Sequence, residues 1–209
     1  MNAAPDGTAA RLEDLSWRAR FGCKGPGAPE WLGSQGYLVP GTANSAVLDG
    51  DGVLVARLGL SEFLIEAVAG ASKRVAASRE QLGQGSTPRS SPASVYPVPR
   101  QDLAIGLCGV GLHALLRQTC SVDFEPVFAA AAAAAAGATA AAASEAGPVF
   151  LTSMLGVGVL AWPRHSANGP TLTLWSDPSF AHYFWHTLLE VGAVPVSVAD
   201  AGEASTGFA

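Results

Sequence analysis

Apolar residues along the chain fall into short alternating runs broken by glycine turns, with two longer stretches carrying the period of a helix. Strands are predicted at Val53 to Leu58, Glu62 to Val68, Val149 to Met154, Val157 to Trp162 and Thr171 to Trp175. In the last of these, Leu172 and Leu174 point to one side and Thr171 and Thr173 to the other, the pattern of a half-buried strand. Amphipathic helices are predicted at Ala71 to Leu82 and Pro178 to Val191. In the second helix Phe180, Phe184, Leu188 and Val191 form one stripe, while His182, Tyr183, His186 and Glu190 lie opposite. Asp177 is a suitable N-cap, and Pro178 at the first helical position gives up no hydrogen bond.

The same order of elements occurs twice. Phe21-Gly22-Cys23-Lys24-Gly25-Pro26-Gly27 followed by Ala28 to Gly36 matches Leu107-Cys108-Gly109-Val110-Gly111 followed by Leu112 to Cys120. Each reads as a strand, a glycine turn and a short helix, followed by further strands and a closing helix. The predicted class is α+β, with duplicated β-α-β-β-β-α units packed as one body, because a unit of this size buries too little core alone. The expected organisation is a flexible lead-in over 1–16, a first repeat over 17–82, a Gly/Ser/Pro-rich linker over 83–94, a second repeat over 95–196 and a flexible tail over 197–209. The nearly pure alanine run inside the second repeat reads as a low-complexity insertion over 128–146; alanine favours helix and is too weakly apolar for a membrane span.

Composition narrows the classes of partner. Of the 209 residues 49% are hydrophobic and only 14% charged, leaving a charge-poor surface that suits a permanent protein partner. The net charge of -5, with Lys and Arg scattered, predicts neither nucleic acid nor an anionic membrane as partner. Residues 1–16 carry Asp6, Glu13 and Asp14 and lack the apolar stretch of a secretory signal. Cys23, Cys108 and Cys120 fit no zinc or redox spacing and are expected as small buried hydrophobes in a reducing cytoplasm.

Candidate chemistry is sparse. His182, His186 and Glu190 at successive i+4 steps can converge on one divalent metal; the alternative is a polar helix face with ordinary histidines. His113 and Arg117 share the solvent side of a helix, where an anion can dock; the alternative, and the favoured one, is a plain solvated face. The glycine turns lack the spacing of a dinucleotide fingerprint, and Lys24 precedes its glycines where a phosphate loop would have it follow. Ser61, Ser72 and Ser153 have no nucleophile-elbow context. No catalytic residue is assigned.

The segments Arg20 to Ala28, Leu54 to Leu64, Tyr96-Pro97-Val98-Pro99-Arg100-Gln101-Asp102 and Trp175 to Leu189 resemble the gamma subunit family of heterotetrameric sarcosine oxidase, within the wider glycine-cleavage T-protein and YgfZ group. The resemblance runs from about Arg18 to Val194, outside the alanine insertion. It implies a duplicated fold of ferredoxin-like, folate-domain type, and a non-catalytic accessory subunit of a flavin-dependent complex that demethylates N-methyl amines or amino acids with tetrahydrofolate as one-carbon acceptor. The implied partners are larger alpha- and beta-like flavoprotein subunits, which would hold FAD, FMN and NAD, in the cytoplasm. A second implication is a chain that itself binds tetrahydrofolate as aminomethyltransferases do. Leu60 to Glu66 follows only the outline of the T-protein pattern and lacks its glycines, so the residues expected to face folate are Glu62, Arg100 and Asp102. The competing expectation is that Arg100 and Asp102 form a surface ion pair or cap a strand, and that Glu62 is solvated. A YgfZ-like assembly factor is a third implication, against which stands the missing Lys-Gly-Cys-Tyr stretch: Cys23-Lys24-Gly25 reverses its order.

Overall fold

The computed structural model describes residues 9–84, 94–137 and 144–196. The first half of the chain forms strand β1 (Arg11–Asp14), β2 (Arg20–Lys24), helix α1 (Ala28–Ser34), β3 (Ser45–Asp49), β4 (Val53–Arg57), β5 (Glu62–Ala67), α2 (Ser72–Gln84) and β6 (Tyr96–Val98). The second half forms β7 (Leu103–Cys108), α3 (Leu112–Thr119), α4 (Glu125–Gly137), β8 (Ser144–Pro148), β9 (Phe150–Met154), β10 (Val157–Ser166), β11 (Gly169–Ser176), a 3-10 turn (Pro178–Phe180), α5 (Ala181–Glu190) and β12 (Val194–Pro195). The predicted α+β duplication is present: β2-α1-β3-β4-β5-α2 is repeated as β7-α3-β9-β10-β11-α5, with α4 and β8 inserted after α3.

The chain divides into two compact units, and neither follows the repeat boundaries strictly. The first unit holds residues up to Ser16, the segment Gln101–Thr139 and everything from Phe150 onward. Its six-stranded sheet has the order β12-β1-β7-β11-β10-β9. One face carries the row Leu12, Leu107 and Leu172, paired across β1, β7 and β11, beside Ile105 and Leu174. Onto this face pack Leu112, Leu115 and Leu116 of α3 and Phe184 and Leu188 of α5. Each helix turns an apolar i, i+3, i+4 stripe toward the sheet, so both secondary-structure periods meet in one core.

The second unit holds Trp17–Arg100 and Ala140–Val149, with a sheet of order β6-β2-β5-β4-β3-β8. Phe21 pairs with Ile65 and Cys23 with Phe63 across β2 and β5, and these meet Trp31 and Leu32 of α1 and Val75 and Leu82 of α2. The Tyr37 hydroxyl donates to Ser78 Oγ at 2.8 Å, which satisfies the polar group that α2 turns inward.

Several expectations change. Residues 1–8 of the expected lead-in lie outside the described residues, but Arg11–Asp14 is an internal strand whose Leu12 is 0% exposed. Four residues with one fully buried side chain give too little alternation for the period to register. Even more unexpected is the pairing. β1 precedes β2 in the chain yet pairs antiparallel with β7, and β6 precedes β7 yet pairs antiparallel with β2. The strand that precedes each repeat thus joins the sheet built by the other repeat.

The alanine insertion begins earlier than expected, as helix α4, anchored by buried Phe124 and Phe128. Its continuation over 138–143 lies outside the described residues, and Ser144–Pro148 is strand β8, paired with β3 at the sheet edge. A Ser-Glu-Ala-Gly-Pro sequence has no strand preference, and an edge position is where Pro148 is tolerated. In the expected 83–94 linker, α2 extends to Gln84, and 85–93 lie outside the described residues, as does the tail 197–209. Residues 95–100, expected in the second repeat, fall in the second unit. The last helix opens with a 3-10 turn, where Asp177 Oδ1 accepts from the Ser179 amide at 2.8 Å as the N-cap reading requires. Finally, β11 is not half-buried, since Thr171 and Thr173 are 1% and 2% exposed.

Candidate functional site

The polar face of the second unit's sheet gathers the most concentrated charge. Side chains of β2 and β5 alternate, so Arg20, Gly22 and Lys24 share one face with Glu66, Leu64 and Glu62, their cross-strand partners. Glu66 is 0% exposed and lies between two guanidiniums, Arg20 Nε at 3.0 Å and Arg18 Nη1 at 3.4 Å. Glu62, at the head of β5, pairs with Arg100 Nη2 at 3.0 Å. Arg100 lies against the sheet because residue 22 is glycine: a Cβ there would stand 2.9 Å from Arg100 Nε and 3.0 Å from Val98 Cβ. The two carboxylates, Glu66 and Glu62, therefore sit on one sheet face, separated by the Gly22–Leu64 rung.

Of the three residues expected to face folate, the structure brings Glu62 and Arg100 together, and Asp102 belongs to the other unit. The pairing of Arg100 with Glu62 was not among the expectations. The side chain of Arg100 is 16% exposed and that of Glu62 46%, so Glu62 faces solvent on one side while its inner oxygen is held. A carboxylate beside a planar guanidinium offers an acceptor and donors to a polar heterocycle or amide edge. Sequence reasoning missed Arg18, Arg20 and Glu66; the one signal available was Glu66, a carboxylate inside the otherwise apolar run Phe63 to Val68.

Cys23 borders this region from the core side. Burial pushes its thiol up to about 12, with the Arg100 charge pulling the other way. In the unfolded chain the thiol ionises near its ordinary 9.0. Stability contributed by the neutral thiol is complete below that pH and is lost as pH rises toward 12. Denaturation midpoints measured from pH 7 to 10.5 should fall more steeply for the wild type than for Cys23→Ala; equal slopes would remove Cys23 as the cause. Cys108 and Cys120 are only partly buried, against the expectation for all three, and all three are free.

The other candidates lie in the first unit. His182 and His186 stack with ring centroids 4.2 Å apart on the exposed face of α5. Glu190 is exposed too, and among the described residues no group of three His, Cys, Asp or Glu side chains is placed to hold a metal ion. The imidazoles stack on each other, and the expected three-residue set is not assembled. Arg117 is bonded to Glu125 Oε2 at 2.7 Å and His113 sets its ring edge to Phe128 at 5.4 Å. Both line an open groove of about 390 Å³ over Leu116 and Phe124. Arg117 and Glu125 are both exposed, so an anion docking at Arg117 would compete there with Glu125. No helix among the described residues is long and apolar enough to cross a membrane.

No protein-family model matches the chain, and no curated protein matches it in sequence. Solved structures do match in fold. The chain is similar to one chain of the heterotetrameric sarcosine oxidase from Corynebacterium sp. U-96 in complex with pyrrole 2-carboxylate, with a TM-score of 0.58 and 20% identity, over 93% of this chain and 91% of that one. It is also similar to the glycine cleavage system aminomethyltransferase T from Bartonella henselae, with a TM-score of 0.56 and 16% identity, over 92% of this chain but only 49% of that one. The duplicated α+β architecture is thus the fold of a sarcosine oxidase chain from end to end and of about half an aminomethyltransferase T.

Proposed function

We propose that this chain is a non-catalytic, gamma-like accessory subunit of a heteromeric, flavin-dependent complex of the sarcosine oxidase type. Such a complex oxidatively demethylates N-methyl amines or amino acids, with tetrahydrofolate as one-carbon acceptor. The observation carrying this reading is the end-to-end correspondence: 93% of this chain covers 91% of a sarcosine oxidase chain, whereas an aminomethyltransferase T is matched over half its length. In this reading FAD, FMN and NAD belong to larger alpha- and beta-like subunits, and the complex works in the cytoplasm. Exposed large apolar side chains, Trp17 at 70% and Leu60 at 85% among them, suit a chain that is covered by partners.

The test is purification of the tagged chain from its native host, with mass spectrometry of what accompanies it and a flavin absorbance spectrum. Larger flavoprotein subunits in stoichiometric amount are the expected result. A lone colourless protein would overturn the accessory reading and favour the second one, in which the Glu62–Arg100 pair on its sheet face meets tetrahydrofolate directly. Titration of that protein with tetrahydrofolate, compared with Arg100→Ala, then decides whether the pair binds it.

A further inference from the structure

Two of the four histidines are engaged only with each other. His182 and His186 stand one turn apart on α5, with ring centroids 4.2 Å apart and 39° between the ring planes, and both are exposed. Among the described residues no hydrogen bond, ion pair or other ring engages either imidazole. The remaining two are placed differently: His113 sets its edge against Phe128, and His165 is half-buried near the end of β10. The nitrogen lone pairs of His182 and His186 are therefore open to a ligand from solvent.

The helix beneath the pair is fixed. On its inner side Phe184 and Leu188 are buried in the core of the first unit. The Tyr183 hydroxyl donates to Leu155 O at 3.0 Å, and the Thr187 hydroxyl donates to Tyr183 O at 2.7 Å. A ligand set carried on such a helix is preorganised, and little order remains to be imposed when an ion binds. Two nitrogens bound to one metal at about 2.1 Å each stand about 3 Å apart. Imidazoles one turn apart with centroids at 4.2 Å reach that separation by turning about their side-chain bonds.

The donor type selects the ion. Neutral imidazole suits Ni2+, Cu2+ and Zn2+, whereas Mg2+ and Ca2+ need oxygen ligands that the pair does not offer. Glu190, one turn beyond His186, is exposed and does not join the histidines in a three-residue group. We propose that His182 and His186 form a two-histidine chelating site for a late first-row divalent cation, with water in the remaining coordination positions. The second imidazole binds an ion already held by the first, which sets the pair apart from a single surface histidine. The site belongs to α5 alone and does not depend on what the chain assembles with.

The experiment titrates the full-length chain, free of any polyhistidine tag, with Ni2+ by calorimetry. Wild type should take up one Ni2+ per chain. His182→Ala and His186→Ala should each bind about a hundred-fold more weakly, the loss expected when a chelate becomes a single contact. His113→Ala and Glu190→Ala should bind as wild type does. Ring-proton signals that disappear from the NMR spectra of the first two variants should be the ones that substoichiometric Ni2+ broadens first in wild type. Both side chains are in water, so melts without metal should stay near that of wild type, and weaker binding cannot be laid to unfolding. Ni2+ should raise the melting temperature of wild type and leave that of His182→Ala in place. A wild-type chain that takes up no Ni2+ at millimolar concentration overturns the proposal. So does His182→Ala binding as tightly as wild type, which would put the ion on a thiol or another imidazole. A tenfold loss in Glu190→Ala would overturn the two-histidine set in favour of three ligands.

Discussion

Glu66→Ala should lower the stability of this protein by about 3–5 kcal/mol, the usual cost of removing one partner from a buried ion pair. The alanine leaves Arg20 and Arg18 at 5% and 7% exposure without the carboxylate that stood 3.0 and 3.4 Å from them. Glu66→Gln retains oxygen and shape but not charge, so it should fall between alanine and wild type. Replacing all three residues with apolar ones of similar volume should recover much of the loss, because the penalty comes from stranded charge. Urea denaturation of the four proteins reads these differences. An alanine variant within about 1 kcal/mol of wild type would mean that solvent reaches the cluster after all.

Deletion of residues 1–16 is expected to be worse. It removes β1 from between β12 and β7, and with it Leu12 and Leu15, both 0% exposed. Leu12→Ala alone should cost about 2–5 kcal/mol through the cavity left against Leu107. The deletion further leaves β7 with an unpaired edge, and such an edge aggregates. Amides of β7 should lose hydrogen-exchange protection in the truncated chain, and a synthetic peptide spanning residues 9–16 should restore it. A truncated protein with wild-type melting and exchange would show that β1 is dispensable.

The duplication was legible because glycine turns punctuate strands of clear period: Phe21 to Gly27 and Leu107 to Gly111 sit at matching places in the two sheets. The strands Val53–Arg57, Glu62–Ala67 and Phe150–Met154 end within one residue of where alternation places them. What could not be read was pairing between distant segments. Nothing local in Arg11–Asp14 distinguishes a strand beside Leu107 from a lead-in, and Ser144–Pro148 is a strand only because the edge of β3 is there to receive it. At the candidate site, Glu62 and Arg100 were recognised as polar residues near a sheet end, but their mutual contact depends on Gly22 admitting the guanidinium. Asp102 follows Arg100 by two residues and still lands in the other unit, since the division falls at Gln101. The i+4 histidines are on one helix face as periodicity requires, yet periodicity says nothing of whether imidazoles stack or diverge.

During synthesis the reciprocal loan of β1 and β6 imposes an order of events. Arg11 is made well before its partner Cys108, which follows only after the whole first repeat and the segment after it, on the order of ten seconds later at typical elongation rates. β2 likewise waits for Val98 before its outer edge is covered. For that interval the nascent chain carries open strand edges and a leading segment with nowhere native to pair. The most hazardous moment in the life of this protein therefore falls before it is finished, and a chaperone that shields β2 until β6 emerges would improve the yield of folded chain without touching its final stability.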